Sequence, residues 1–203
     1  MTQAVIDGNR AAAVELTRSC LDAGEAPGSI IENRLVPGMA IVGERFKNDE
    51  IFVPEMLISA RAMKESVAVL EPLLAKTGFK AAHTAVIGTI EGDLHDIGKN
   101  LVGMMWKGAG FEVVDLGVNV PAARFAEAAV EHGAHIVGLS ALLTTTMPNM
   151  GGVVEAVRAS GSGAKVVIGG APTTPEFAAQ IGADGHAPDA GAAVELARRL
   201  LAR

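Results

Sequence analysis

Tyrosine is missing from the sequence altogether, and aromatic residues of all kinds make up only 3% of its 203 positions. Stacking of nucleobases on aromatic rings is therefore poorly supplied. A basic excess is also lacking. The formal net charge is -6 and no long run of lysine and arginine occurs, which argues against nucleic acid as the main partner. The single cysteine, Cys20, excludes an internal disulfide. It falls on an apolar helical position, reads as a core residue and is consistent with a reducing, cytoplasmic setting. No apolar run reaches the length of a membrane span, and no charged start followed by an apolar block opens the chain. Neither a transmembrane helix nor a signal peptide is expected. What the chain has in quantity is hydrophobic residues, 49% of the total, enough for a sizeable core in one large or two small domains.

The chain reads in two halves. Residues 2–82 are helical in pattern. Val5, Ala12, Leu16 and Cys20 lie at helical spacings, with Gly24 as a stop. A short second helix, Ile30 to Leu35, is expected to break at Pro37-Gly38. A third carries Met39, Val42 and Phe46, and a fourth opens at Pro54 and runs to Thr77-Gly78. Short connections suggest a four-helix antiparallel bundle. Met56 and Met63 read from their spacing as core residues.

Gly78-Phe79-Lys80 is the expected linker, dividing a domain of residues 1–80 from one of residues 81–203. Beyond it, apolar β-branched runs alternate with helical patterns. Strands are expected at 84–89, 112–116, 135–140, 165–169 and 184–186, with helices at 96–109, 121–132, 147–159, 173–181 and 189–202. This alternation predicts a doubly wound five-stranded parallel sheet. Runs such as Val166-Val167-Ile168 fit strands covered on both faces.

Three strand-to-helix loops at one edge of that sheet carry unusual chemistry. The first is Gly88 to Asn100, GTIEGDLHDIGKN, which sets Asp93, His95 and Gly98 at the carboxyl end of a buried strand, where open α/β sheets bind ligands. The second is Ser140 to Thr146, rich in hydroxyls. The third is Gly169-Gly170-Ala171-Pro172-Thr173-Thr174, whose glycines admit close backbone approach. Alone, the first loop is equally compatible with a ligand site and with a solvated histidine beside a helix cap. Together, the three describe a long slot lined by glycine and hydroxyls, suited to a large, mostly uncharged ligand.

Several alternatives fail on sequence. Asp93 stands where a P-loop needs its first glycine, and Asn100 follows Gly98-Lys99 in place of serine or threonine. No dinucleotide fingerprint follows the first strand. His83, His132, His135 and His186 are too scattered for a zinc site. A receiver domain would want a lysine on the fifth strand, and a flavin-binding flavodoxin-like domain a hydroxyl-rich phosphate loop after the first.

Asp93-x-His95-x-x-Gly98, then Ser140-x-Leu142, then Gly169-Gly170 resembles the three-part signature of cobalamin-binding domains that hold the cofactor base-off with histidine on cobalt. The helical half is similar to the cap of methionine synthase and of the corrinoid proteins of methylotrophic and acetogenic methyltransferase systems. The resemblance covers essentially the whole chain and implies a flavodoxin-like, Rossmann-like domain. It also implies cobalamin or a related corrinoid, as methylcobalamin or cob(I)alamin. His95 would be the axial cobalt ligand, with Asp93 and Thr146 its proton relay. Leu94, Asp96, Ile97 and Gly98 would line the cofactor on one side. Ser140, Leu142, Thr144, Thr145, Gly169 and Gly170 would line the slot for its nucleotide tail. His186 and Ala187, after the last strand, would flank the tail's far end. Phe46, Val53 and Met56 match cap positions over the methyl face, with Gly78 and its neighbours as hinge.

The implied function is a methyl carrier, not catalytic alone. Co(I) takes a methyl group from a substrate:corrinoid methyltransferase. Methyl-Co(III) then delivers it to a corrinoid:tetrahydrofolate or corrinoid:coenzyme M methyltransferase, with a reductive activase as a further partner. The alternatives are a cobalamin sensor or regulator, which normally adds a DNA-binding domain and a cap tryptophan, and a mutase small subunit, which lacks this cap. The only tryptophan here, Trp106, follows the histidine loop.

Overall fold

The computed structural model describes residues 1–77 and 81–202. The expected linker Gly78-Phe79-Lys80, and with it the hinge glycine, lies outside the described residues. The chain forms two compact units, Met1–Ala82 with Lys107–Gly110, and His83–Trp106 with the chain from Phe111 onward.

The first unit is helical, but its helices divide differently from the expected four. The first expected helix is two, α1 (Thr2–Ile6) and α2 (Arg10–Asp22). Gly8 takes φ +64 between them, a conformation glycine adopts without a Cβ penalty. Asn9 then caps α2, its side-chain oxygen accepting from the Ala12 amide at 3.1 Å. Conversely, Pro37 breaks nothing. The chain runs from α3 (Pro27–Ile30) through a π-helical turn, Ile31–Leu35, into α4 (Val36–Lys47). Proline removes an i→i−4 bond and crowds the preceding turn; the wider π turn sits immediately before it and accommodates that defect. Helix α5 (Val53–Thr77) continues through Pro72. Helices α2 and α5 pack together, as do α1 and α4. Val5, Ile30, Leu35, Val42, Met56 and Leu70 are fully or almost fully buried, so Met56 has the core placement its spacing predicts.

The second unit is a five-stranded, all-parallel sheet in the order β2-β1-β3-β4-β5. Its strands are β1 (His83–Thr89), β2 (Phe111–Asp115), β3 (Ile136–Ser140), β4 (Lys165–Gly169) and β5 (Gly185–Ala187). Helices α6 (Ile97–Gly108), α7 (Ala122–Glu131), α8 (Asn149–Ala159), α9 (Pro175–Gln180) and α10 (Ala190–Leu201) alternate with them. On one sheet face, Val86, Val137, Leu139, Val166 and Ile168 meet Phe125, Ala128, Met150, Val153 and Ala178 of α7, α8 and α9. On the other face lie α6 and α10. Trp106 is fully buried there, and its indole N–H donates to the Ala193 carbonyl of α10 at 3.1 Å. The indole stands on Gly138 of β3, where an added Cβ would meet its Cη2 at 2.6 Å.

The strand order reverses between β1 and β3, and ligands of doubly wound sheets bind at that crevice, outside the carboxyl ends of the strands. Because residues paired across a parallel sheet share a face, the register places Thr89, Ser140, Gly169 and Ala187 in one row at this edge. All four are small, and all face the α6/α10 layer. Behind them lie Ile87, Gly138, Val167 and Gly185, the row on which Trp106 rests.

Close packing leaves no room for one more methyl on Gly138. Gly138→Ala is expected to lower stability by about 1–3 kcal/mol through overpacking against Trp106, read from the urea midpoint at constant m-value. An unchanged midpoint would mean that the indole yields.

Candidate functional site

The loop after β1 is built around Asp93. Gly92 takes φ +86, and the turn buries the following carboxylate completely. Among the described residues five groups donate to it. Oδ1 accepts from the His95 amide at 3.0 Å and faces His95 Nδ1 at 2.7 Å. Oδ2 accepts from the amides of Leu142 and Leu143 at 2.8 and 3.3 Å and from the Thr146 hydroxyl at 2.8 Å. One carboxylate thereby joins the loops after β1 and β3, on either side of the switch point.

Burial alone would raise the Asp93 pKa. The bonds from Leu142, His95 and Thr146 outweigh it and hold the carboxyl well below its ordinary 3.8. An ionised carboxylate only accepts, so the imidazole must present Nδ1–H to it. In a neutral ring the lone pair of Nε2 is then free. The ring is half exposed, at 51%, and Nε2 has no recorded hydrogen-bond partner among the described residues. A histidine with a carboxylate behind Nδ1 and nothing in front of Nε2 is the arrangement that ligates metals.

The backbone of His95 is also held. Thr89, the last residue of β1, donates its hydroxyl to the His95 carbonyl at 2.9 Å. Asn119, at φ 53, accepts from the Gly92 amide through its side chain at 2.8 Å and donates its own amide to the Asp93 carbonyl at 3.0 Å. Neither residue is among those expected from sequence. A threonine at the carboxyl end of the strand was a readable signal; Asn119 gave none.

The surroundings suit a broad, apolar ligand. Leu94 and Ile97 are exposed by 71% and 83%, and Leu142 and Leu143 by 45% and 40%. A Cβ on Gly98 would meet nothing within 4 Å, leaving open space beside His95. Asp96 is half-buried, and Thr144 and Thr145 are exposed in the turn that also holds the buried Thr146. Gly170 takes φ +122, and a Cβ there would stand on the Ala141 carbonyl oxygen. The loops after β3 and β4 are thus in backbone contact. Among the described residues no group of three or more histidine, cysteine, aspartate or glutamate side chains could hold a metal ion. A metal at His95 would therefore need its remaining ligands from a prosthetic group. The donor set, the small-residue row and the apolar shoulders all fit such a group.

One expectation needs correction. His186 and Ala187 do not follow the last strand but belong to it, because Ala187 pairs with Gly169. His186 pairs with Ile168, so side-chain alternation turns it to the α9 face, where it acts electrostatically on Glu176. It is on the wrong side of the sheet to join Ser140 and Gly169; Ala187 is on the right one. In the helical unit, Phe46 is half-buried, Val53 is 38% exposed and Met56 is completely buried.

Comparison with known proteins fits this geometry. Residues 83–195 match the B12 binding domain, and residues 1–71 match a second B12 binding domain model. A corrinoid protein of Desulfitobacterium hafniense is 41% identical over 208 residues, covering 100% of this chain and 96% of that protein. Dimethylamine corrinoid protein 1 of Methanosarcina acetivorans is 43% identical over 194 residues, 94% of this chain and 89% of that one. Among solved structures, a chain of the methanol:cobalamin methyltransferase complex of Methanosarcina barkeri superposes with a TM-score of 0.90 at 30% identity, covering 99% of this chain and 78% of that chain. The chain belongs to the B12-binding family. Its cofactor is cobalamin or a related corrinoid.

The Asp93 site carries its own acid dependence. Its folded pKa lies below the ordinary 3.8, so the stability it confers is complete above that value and is lost as pH falls through the folded pKa. Asp93→Asn should remove this component from the acid limb of a stability–pH profile. At neutral pH it should cost about 1–3 kcal/mol, because the new amide faces buried N–H donors. Superimposable acid limbs would show that Asp93 is not ionised in the folded protein.

Proposed function

We propose that the chain is a methyl-carrying corrinoid protein, with residues 1–80 as a helical cap and residues 81–203 as the cobalamin-binding domain. The observation that carries this reading is the half-exposed His95 ring, locked by a fully buried carboxylate with Nε2 left bare. The names of its relatives support the methyl-transfer role: dimethylamine and trimethylamine corrinoid proteins align over 94% and 98% of the chain.

A bound corrinoid supplies a cobalt centre able to accept a methyl group and give it up again. The chain's own residues orient and protect. His95 Nε2 would hold the cobalt, with Asp93 Oδ1 keeping the ring in the tautomer that presents this nitrogen. Thr146 and the Leu142 and Leu143 amides hold the other oxygen of Asp93, so the carboxylate cannot turn away. His95 Nδ1, the Asp93 carboxylate and the Thr146 hydroxyl form one continuous chain of hydrogen bonds, which would serve as the proton relay behind the ligand.

Leu94, Asp96, Ile97 and Gly98 border the cofactor. Ser140, Leu142, Thr144, Thr145, Gly169, Gly170 and Ala187 line the slot for its tail. Phe46, Val53 and Met56 belong to the cap over the reactive face. The donor of the methyl group binds a separate substrate:corrinoid methyltransferase. A second methyltransferase, using tetrahydrofolate or coenzyme M, removes it, and a reductive activase restores the carrier. A cytoplasmic carrier is part of this reading, and no helix among the described residues is long and apolar enough to cross a membrane.

Loading the purified chain with methylcobalamin tests the reading. The wild type should bind it with a base-off, histidine-ligated visible spectrum, and His95→Ala should shift that spectrum toward a water-ligated form. An identical spectrum in His95→Ala would reject His95 as the ligand.

A further inference from the structure

The most deeply buried cation of this site belongs to Lys99, in the first turn of α6. Its side chain is 2% exposed, whereas that of its partner Asp115, at the end of β2, is 42% exposed. The ammonium donates to both oxygens of Asp115 at 2.7 and 2.6 Å and to Asn100 Oδ1 at 2.7 Å. All three of its protons have acceptors.

These contacts belong to a circuit that returns to His95. Asn100 donates its side-chain amide to Asp96 Oδ2 at 3.0 Å, and Asp96 follows His95 in the chain. In the other direction, Asp115 Oδ1 accepts from the Gly117 amide at 2.9 Å. The Gly117 carbonyl accepts from the Thr89 amide at 2.9 Å. The Thr89 hydroxyl donates to the His95 carbonyl at 2.9 Å. The circuit passes through β1, β2 and α6 and encloses the backbone on the C-terminal side of the ligand residue. Asp93 holds the N-terminal side.

We propose that Lys99 is a positioning residue for His95: its ion pair with Asp115 closes the circuit that fixes the His95 backbone and so aims Nε2. Stability alone is a poor reason for a lysine here. Desolvating an ammonium is expensive, and replacing a buried ion pair by apolar side chains of similar volume is often neutral or stabilising. What an apolar side chain lacks is a directional link between α6 and the end of β2. The inference rests on His95 as the cobalt ligand, and Lys99 acts on the metal only through it.

Lys99→Met keeps the volume and leaves Asp115 to solvent. Two measurements decide the matter. The first uses cofactor-free protein and reads amide hydrogen exchange. Exchange at His95 and Asp96 is expected to be faster in the variant, because the local segment opens more often, with rates in the sheet strands unchanged. The second loads protein carrying ¹⁵N-histidine with cob(II)alamin and reads electron paramagnetic resonance. The doublet from an axial ¹⁵N marks the histidine-ligated form. Its ratio to the water-ligated form should fall about 10-fold, the usual scale for losing a group behind a metal ligand, with the amount of bound cobalamin maintained.

Wild-type exchange at His95 and Asp96, or a wild-type doublet ratio, would overturn the proposal. So would faster exchange spread over the whole sheet, which marks a structural role. If Lys99→Met fails to fold, Asp115→Asn carries the same two readouts with the same direction of change. A wild-type protein that takes up no cobalamin defeats the functional reading instead; the cofactor-free exchange experiment still decides the role of Lys99.

Discussion

A carboxylate sealed from water and saturated with hydrogen bonds is the constraint on which this site depends. Asp93 carries a negative charge at 0% exposure, a state tolerated only because every lone-pair direction is met by a donor. Its donors come from the loop after β1 and the loop after β3. These loops flank the point where strand order reverses, so the fold creates the gap and the carboxylate bridges it. The histidine's tautomer and its outward nitrogen then follow without further machinery. A metal-binding group is thus prepared in advance by a fixed charge deep in the protein.

The sheet contributes the other requirement, room. Thr89, Ser140, Gly169 and Ala187 share one register row, and none has a side chain long enough to fill the space above it. One row deeper, Trp106 stands on Gly138 and is tied to α10 through Ala193. The α6/α10 face is therefore shallow-walled at the carboxyl edge and solid behind it. The opposite face has no such gradation, since Phe125, Met150 and the valines of α8 fill it throughout. Two faces of one sheet have divided the work, one building the core and the other leaving an entrance.

The parallel sheet was legible because its strands are continuous apolar runs bounded by glycine and polar turns, a pattern that depends on little beyond the local chain. The Asp-x-His pair was legible for a similar reason: both residues lie in one loop and their contact is local. Contacts that close over long sequence distances were harder to read. Asn119 braces the histidine loop from the segment after β2, and Lys99 of α6 finds Asp115 at the end of β2. His186 was misread because β5 lies one residue farther along than the expected 184–186 and runs on to Ala187, and alternation within a strand decides which face a side chain takes. In the helical unit, Gly8 breaks a periodic pattern while Pro37 fails to break one. Turn geometry, more than composition, decides both outcomes.

Gly170 gives the site a property of a different kind. Its backbone at φ +122 presses against the Ala141 carbonyl so closely that no side chain fits between them. The next residue along, Leu142, donates the amide that holds Asp93. Two loops far apart in sequence therefore cannot drift independently. A change in the length or shape of the segment after β4 is transmitted through bare backbone to the carboxylate, and from there to the imidazole. The loops after β3 and β4 are consequently a single heritable unit: a recombined chain taking one from each of two divergent ancestors would inherit both halves of the slot and lose the aim of its histidine.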